Sequence, residues 1–80
     1  MREQLERLQR DAEQELLGAV AAEEIQAIRT KYLGRKGALT SILRGLGSVP
    51  PEERPAVGQL ANQVKEALSQ RIEAALEATA

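Results

Sequence analysis

A long apolar stripe near the carboxyl end of the sequence constrains the fold most strongly. Its members recur at steps of 4, 3, 4, 4 and 3 positions and are Val57, Ala61, Val64, Leu68, Ile72 and Ala75. The mean step is about 3.6, the period of a straight α-helix, so we expect one long helix with little left-handed supercoil. The next position on this face is Thr79, where the stripe turns polar. Such a helix must pack its stripe against other elements.

The first half of the chain contains shorter helical patterns. The first segment predicts a helix over residues 2–17 that stops at Gly18. A second helix is predicted over residues 22–33, ending at Gly34, and a short third helix over residues 38–46. The apolar residues of these three faces are Leu5, Leu8, Ala12, Leu16, Ile25, Ile28, Tyr32, Leu39, Ile42, Leu43 and Leu46.

The segment "GSVPPEERP" is the clearest turn in the sequence. Pro50 and Pro51 suit the start of a new helix, so we expect the last helix over residues 52–79, or from Pro55 if its missing N–H delays the regular helix. The paths on both sides of this turn are about 40 Å long at ~1.5 Å per residue. Residues 1–80 therefore predict a single all-α domain: an antiparallel helical hairpin, or coiled-coil arm, with an additional N-terminal helix packed across its base.

Composition excludes several classes of protein. Tyr32 is the only aromatic residue, which argues against a β-sandwich or barrel. The chain has no cysteine and no histidine, which excludes disulfides, Cys/His zinc sites and nucleophilic catalysis with a histidine base. We expect no catalytic residue, no metal site and no cofactor in this chain. No apolar run approaches the ~20 residues of a membrane helix and nothing resembles a signal peptide, so we expect no membrane partner and a cytoplasmic location.

Charge is distributed unevenly along the chain. The formal net charge is −1, yet no acidic residue occurs between Glu24 and Glu52, while cations do. These candidate RNA-binding residues are Arg29, Lys31, Arg35, Lys36 and Arg44. One interpretation is a solvated surface with chance clustering. We favour a surface that binds a polyanion, because cations without neighbouring carboxylates have no local partner.

Two glycines bracket two cations in the segment Gly34–Arg35–Lys36–Gly37. A Walker loop is excluded, because no Ser or Thr follows the lysine and no strand precedes it. A KH domain also uses a GxxG loop, but its sheet has no candidate strand here. Gly34 and Gly37 can still let the backbone approach phosphate and leave N–H groups free for it. A simple helix C-cap explains Gly34 equally well. Tyr32 is predicted to be a core residue, so recognition by shape and phosphates fits better than base stacking.

The segment from Ile28 to Leu68 resembles the amino-terminal region of the α subunit of bacterial phenylalanyl-tRNA synthetases. That family has an R-x-x-Y-L-G-K-K-G-x-L-T segment, then a short helix, then L-P-P-E-E-R-P. The matching positions are Arg29, Tyr32, Leu33, Gly34, Lys36, Gly37, Leu39, Thr40, Pro50 to Pro55 and Lys65. Arg35 replaces the usual lysine and keeps the charge, and Val49 replaces the leucine and stays apolar.

This resemblance implies a tRNA-binding coiled-coil arm of a class II aminoacyl-tRNA synthetase. In that family the arm projects from an (αβ)2 enzyme, which joins phenylalanine to its tRNA with ATP and magnesium. The implied partners are therefore phenylalanine-specific tRNA and a β subunit. We expect the catalytic domain to be absent from this chain, so that the chain is not itself an enzyme. The alternative is a purely structural helical arm that docks on its own synthetase or on another protein.

Overall fold

A computed structural model describes residues 2–79, which form four α-helices and one short 3-10 helix. The elements in chain order are α1 (Arg2–Gly18), α2 (Ala22–Leu33), α3 (Ala38–Arg44), the 3-10 helix (Gly45–Ser48) and α4 (Arg54–Thr79). The α-helices contain 17, 12, 7 and 26 residues, and no β-strand occurs in residues 2–79. The prediction of an all-α fold is therefore confirmed.

The long helix α4 folds back along α2 and α3 and forms the predicted antiparallel arm. The molecule is elongated, with dimensions of 44 × 19 × 15 Å. The face of α4 identified by its periodicity is the buried one, with buried residues Val57, Ala61, Val64, Leu68 and Ile72. No helix within the described range is long and apolar enough to cross a membrane.

Helix α1 packs lengthwise against α4 and shares its core. The sequence predicts instead that α1 packs across the base of the hairpin. Leu5, Leu8 and Ala12 are buried in the same core as the α4 stripe. The C-terminal turn of α1 lies beside Arg71 and Ala75 near the end of α4, and α1 also packs against α3, so α1 runs parallel to α4. The physical reason is that two helices leave one flank of the α4 stripe exposed, and the apolar face of α1 covers that flank.

The ends of α1 and α3 differ by one or two residues from their predicted bounds, while α2 has the predicted ones. Helix α1 includes Gly18. Helix α3 ends at Arg44 rather than at residue 46, because the chain tightens into the 3-10 helix. Two glycines within residues 45–48 explain the change, since glycine has a low helix propensity.

Helix α4 begins at Arg54, two residues later than predicted. The Pro50 carbonyl accepts hydrogen bonds from the amides of Glu53 and Arg54 at 2.9 and 3.2 Å, so a closed turn precedes the regular helix. Pro55 cannot donate to the preceding turn of a helix, and it is tolerated because it lies in the first turn.

The side chain of Arg54 fixes this turn in place. Its Nε donates to the Val49 carbonyl at 2.9 Å, and its Nη2 donates to the Gly47 carbonyl at 3.0 Å. These bonds satisfy carbonyls at the end of the 3-10 helix, where no further helical N–H group is present to donate to them. No local pattern in the sequence indicates this role, because the side chain turns back over five and seven residues.

Replacing Leu5 by Ala should lower the free energy of unfolding by about 2–5 kcal/mol, because Leu5 is fully buried in the core. The same substitution at Leu17, which lies on the same helix but is 86% exposed, should change it by no more than ~0.5 kcal/mol. Urea unfolding followed by circular dichroism measures both variants. Equal effects would contradict the packing of α1 in the core.

Candidate nucleic-acid interface

The segment between α2 and α3 is a hydrogen-bonded four-residue turn. The amide of Gly37 donates to the Gly34 carbonyl at 2.9 Å, which places Arg35 and Lys36 at the two central positions. Both side chains are exposed, and neither forms an ion pair within residues 2–79. The turn therefore presents two adjacent cations to solvent without an internal counter-charge.

The two glycines of the turn are required by close backbone contacts rather than by unusual torsion angles. No described residue has a positive φ. A Cβ atom at Gly34 would lie 2.5 Å from the carbonyl oxygen of Thr30, and one at Gly37 would lie 2.8 Å from the carbonyl carbon of Tyr32. Because the obstructing atoms belong to the backbone, they cannot rotate away. Glycine at both positions allows α2 to end and α3 to begin within four residues.

Both glycine amides are engaged within the chain. Gly34 N–H donates to the Thr30 carbonyl at 3.1 Å as the cap of α2, and Gly37 N–H closes the turn. The sequence predicts that these amides are available to phosphate oxygens, whereas the structure uses them internally. In the described part of the chain, the amides of Arg35 and Lys36 donate to no backbone carbonyl.

Thr40 adds a side-chain hydrogen bond to the same turn. Its Oγ1 donates to the Gly34 carbonyl at 2.9 Å, so that oxygen accepts bonds from both Gly37 and Thr40. Thr40 belongs to the matching family motif, but the sequence pattern assigns it no role. The available signal is general: hydroxyl side chains near helix starts commonly bond to nearby backbone groups.

Lys31 has an internal partner, contrary to the expectation that the central cations lack one. Its Nζ lies 3.0 and 3.1 Å from the two carboxylate oxygens of Glu15 on α1 and 5.2 Å from the centroid of the Tyr32 ring. The Tyr32 hydroxyl also donates to Glu15. Tyr32 is buried, as predicted. Glu15 lies outside the basic segment of the sequence, so no local pattern indicates this pairing.

These contacts and burial shift the pKa values of all three groups. The hydrogen bond from Tyr32, followed by that from Lys31, holds the pKa of the Glu15 carboxyl below its ordinary value. Burial, followed by the bond to Glu15, raises the pKa of the Tyr32 phenol. The bond to Glu15 raises the pKa of the Lys31 ammonium. At neutral pH each group therefore stays in the protonation state that makes these contacts.

The other two candidate cations lie apart from the turn. Arg29 on α2 and Arg44 at the end of α3 are exposed and form no ion pair among the described residues. At roughly 100° per residue, Arg29 and Lys31 lie about 160° apart around α2, so the five candidates do not share one face. Arg29 lies within α2 and Arg44 ends α3, so they are on opposite sides of the turn. The structure thus brings together Arg35 and Lys36 and spreads the others along the arm.

Possible metal ligands are not clustered in the described residues. These residues contain no group of three or more His, Cys, Asp or Glu side chains that could hold a metal ion. What the exposed turn can do is attract an anion through charge and donate hydrogen bonds to it.

Comparison with known proteins identifies the family of the chain. The family model described as "Aminoacyl tRNA synthetase class II, N-terminal domain" matches residues 20–80. The chain belongs to this family of synthetase N-terminal domains, which confirms the resemblance seen in the sequence.

Several similar proteins carry the more particular name phenylalanine–tRNA ligase alpha subunit. The one from Halalkalibacterium halodurans is 53% identical over 78 residues, covering 98% of this chain and 23% of the relative. Those from Caldanaerobacter subterraneus subsp. tengcongensis and Acetivibrio thermocellus are 54% and 52% identical, covering 90% and 94% of this chain and 21% and 22% of the relatives. The chain thus spans less than a quarter of the length of these relatives. No solved structure matches it.

Gly37→Ala should lower the free energy of unfolding by about 1–3 kcal/mol, because the new Cβ must displace the backbone of Tyr32 and Gly34. Gly58→Ala is the matched control. It lies inside α4, where a Cβ meets nothing within 4 Å, so it should raise the free energy of unfolding by ~0.5–1 kcal/mol. Thermal and urea unfolding measure both variants. A stabilising effect of Gly37→Ala would show that the turn has room for a Cβ.

Glu15→Gln should remove a pH-dependent part of the stability. Because the pKa of Glu15 is lowered in the folded chain, its contribution is present above its ordinary value of 4.5 and is lost as the pH falls through the lower folded value. The carboxylate is partly exposed, so solvent screening limits the effect at neutral pH to about 1 kcal/mol or less.

Urea unfolding of the wild type and the variant at several pH values tests this dependence. The difference in free energy of unfolding should be largest near neutral pH and vanish in strong acid. Glu66→Gln, an exposed position on α4 with no ion pair in residues 2–79, should behave like the wild type throughout. A Glu15→Gln difference that stays constant with pH would contradict the role of the carboxylate.

Proposed function

We propose that this chain is the tRNA-binding arm of a phenylalanine–tRNA ligase α subunit and that it holds tRNA by its phosphate backbone. The observation that carries the proposal is the turn at residues 34–37, which displays Arg35 and Lys36 without a counter-charge. Membership of a synthetase family supports RNA as the polyanion. Contacts between exposed, unpaired cations and phosphates lower the free energy of binding, because counterions are released and charge-assisted hydrogen bonds form.

The five cations are expected to contribute unequally to tRNA binding, because their surroundings in the fold differ. Arg35 and Lys36 are the primary phosphate ligands, and Arg29 and Arg44 extend the basic surface along the arm. Lys31 contributes only where a phosphate competes with Glu15 for its ammonium group. The amides of Arg35 and Lys36, rather than those of the glycines, are the backbone donors available to phosphate.

Recognition in this proposal depends on the shape and phosphates of structured RNA. The only aromatic side chain, Tyr32, is 6% exposed and donates its hydroxyl to Glu15. A platform for stacking unpaired bases is therefore not offered by this chain, and sequence-specific reading of single strands is not part of its function.

The remaining part of a longer protein would supply the chemistry. In this proposal it attaches phenylalanine to phenylalanine-specific tRNA with ATP and magnesium, together with a β subunit in a cytoplasmic (αβ)2 assembly. Support comes from the relatives, which are named phenylalanine–tRNA ligase alpha subunit and are more than four times as long as the matched region. In this proposal residues 2–79 bind and orient the tRNA and take no part in the bond-forming step.

A second candidate function is protein docking. Leu17 in the last turn of α1 and Val20 in the connection to α2 are 86% and 80% exposed. Two exposed apolar side chains only three positions apart in the sequence favour a contact with another protein surface. A chain with this function alone would not bind RNA through its basic turn.

Replacing both Arg35 and Lys36 by Glu should weaken tRNA binding by about 2–4 kcal/mol, because contacts worth ~1.5–3 kcal/mol each are lost and repulsion is added. The control replaces Arg7 and Arg10 by Glu, which makes the same charge change on the exposed surface of α1. The control should weaken binding much less, because only the first pair lies in the proposed interface.

Fluorescence anisotropy with a phenylalanine-specific tRNA transcript, measured at several salt concentrations, tests this prediction. For the wild-type chain the logarithm of the affinity should fall against the logarithm of salt concentration with a slope of roughly −2 to −4. The slope of the variant should be less steep by about 1.5. Equal losses in the two double variants would indicate only long-range electrostatics, and a flat salt dependence would favour the docking candidate.

A further inference from the structure

We propose that Thr40 is a positioning residue for Arg35 and Lys36: its hydroxyl fixes the turn from which both cations reach a phosphate backbone. The inference rests on the proposed function and adds to it an uncharged residue outside the basic set. Three features of the turn support this role.

The first feature is the double hydrogen bond at one carbonyl oxygen. The Gly34 carbonyl accepts the Gly37 amide at 2.9 Å and the Thr40 hydroxyl at 2.9 Å. The bond from Gly37 closes the turn on itself. The bond from Thr40 ties the same oxygen to the first turn of α3. Because a carbonyl oxygen has two lone pairs, both bonds form together, and the turn is attached to the body of the bundle.

The second feature is the contrast between the flanks and the centre of the turn. At the flanks, Gly34 and Gly37 lie against the backbone of Thr30 and Tyr32 too closely to admit a Cβ. At the centre, the side chains of Arg35 and Lys36 are exposed and form no ion pair in the described chain. Rigid flanks with a free centre lower the entropy lost when the two cations bind, which is the benefit of preorganisation.

The third feature is that the hydroxyl is not needed to satisfy the Gly34 carbonyl. In a Thr40→Val chain the Gly37 amide still donates to that oxygen, so no buried acceptor loses its only partner. The substitution removes the link between the turn and α3 and leaves the rest of the fold in place. Its effect should therefore appear in the placement of Arg35 and Lys36 more than in the stability of the chain.

A double-mutant cycle with a phenylalanine-specific tRNA transcript tests the inference. Thr40→Val removes the hydroxyl, and Thr40→Ser retains it. Each substitution is made in the wild-type chain and in a chain with both Arg35→Gln and Lys36→Gln. The affinity for tRNA is measured by fluorescence anisotropy at low salt, and the melting temperature of every variant is measured in parallel.

In the wild-type background, Thr40→Val should weaken tRNA binding by about 3- to 10-fold, and Thr40→Ser by less than about twofold. In the background with two glutamines, Thr40→Val should have no further effect, because Thr40 acts through the two cations that have been removed. The same fold loss in both backgrounds would overturn the inference. So would a Thr40→Val chain that binds like the wild type, whatever its melting temperature.

The same affinity measurements distinguish failure of the proposed function from failure of the role of Thr40. If the two glutamine substitutions leave the tRNA affinity unchanged, or if the wild-type chain does not bind at low salt, the turn is not an RNA contact and both proposals are overturned. If the glutamine substitutions weaken binding but Thr40→Val shows no coupling to them, the phosphate contacts stand and only the role of Thr40 is lost.

Discussion

Burial of the apolar stripe on α4 organises the whole chain. The stripe is enclosed on one flank by α2 and α3 and on the other by α1. Each aliphatic side chain removed from water in this way contributes about 1.5–3 kcal/mol. A partly exposed ion pair such as Glu13–Arg71, which joins α1 to α4 at 2.6 Å, contributes about 0–1 kcal/mol. Apolar burial therefore determines the bundle, and polar contacts adjust its ends and turns.

The position of the two cations follows from the register of this core. Tyr32 at the end of α2 and Leu39 at the start of α3 are both buried, so the break between the helices must return the chain to the same side of α4 within a few residues. A four-residue turn does this only if its ends approach the preceding backbone closely, which the glycines allow. The central residues, Arg35 and Lys36, then point away from the core. A cation at the buried positions of Tyr32 or Leu39 would instead have been desolvated.

The sequence predicts the parts of the structure that depend on local periodicity. The bounds of α2 and the buried face from Val57 to Ile72 are examples, because helical spacing alone identifies them. The sequence does not predict that α1 lies along α4, because that arrangement depends on which flank of the hairpin remains uncovered. The Glu15–Lys31 pair is a consequence of the same packing and is equally hidden. The hydrogen bond from Thr40 to the Gly34 carbonyl also depends on the folded backbone. The sequence therefore predicts the charges of the candidate site but not the contacts that surround them.

Burial is distributed unevenly along the arm. Between Leu39 and Val57 no residue is buried, and the apolar side chains there, such as Ile42 and Val49, are only half-buried. Local opening of this end therefore requires less free energy than global unfolding, and its amides should exchange with solvent sooner than those enclosed by three helices. The end of the arm between Leu39 and Val57 can therefore change conformation to fit an irregular partner. The core enclosed by three helices stays intact while it does so.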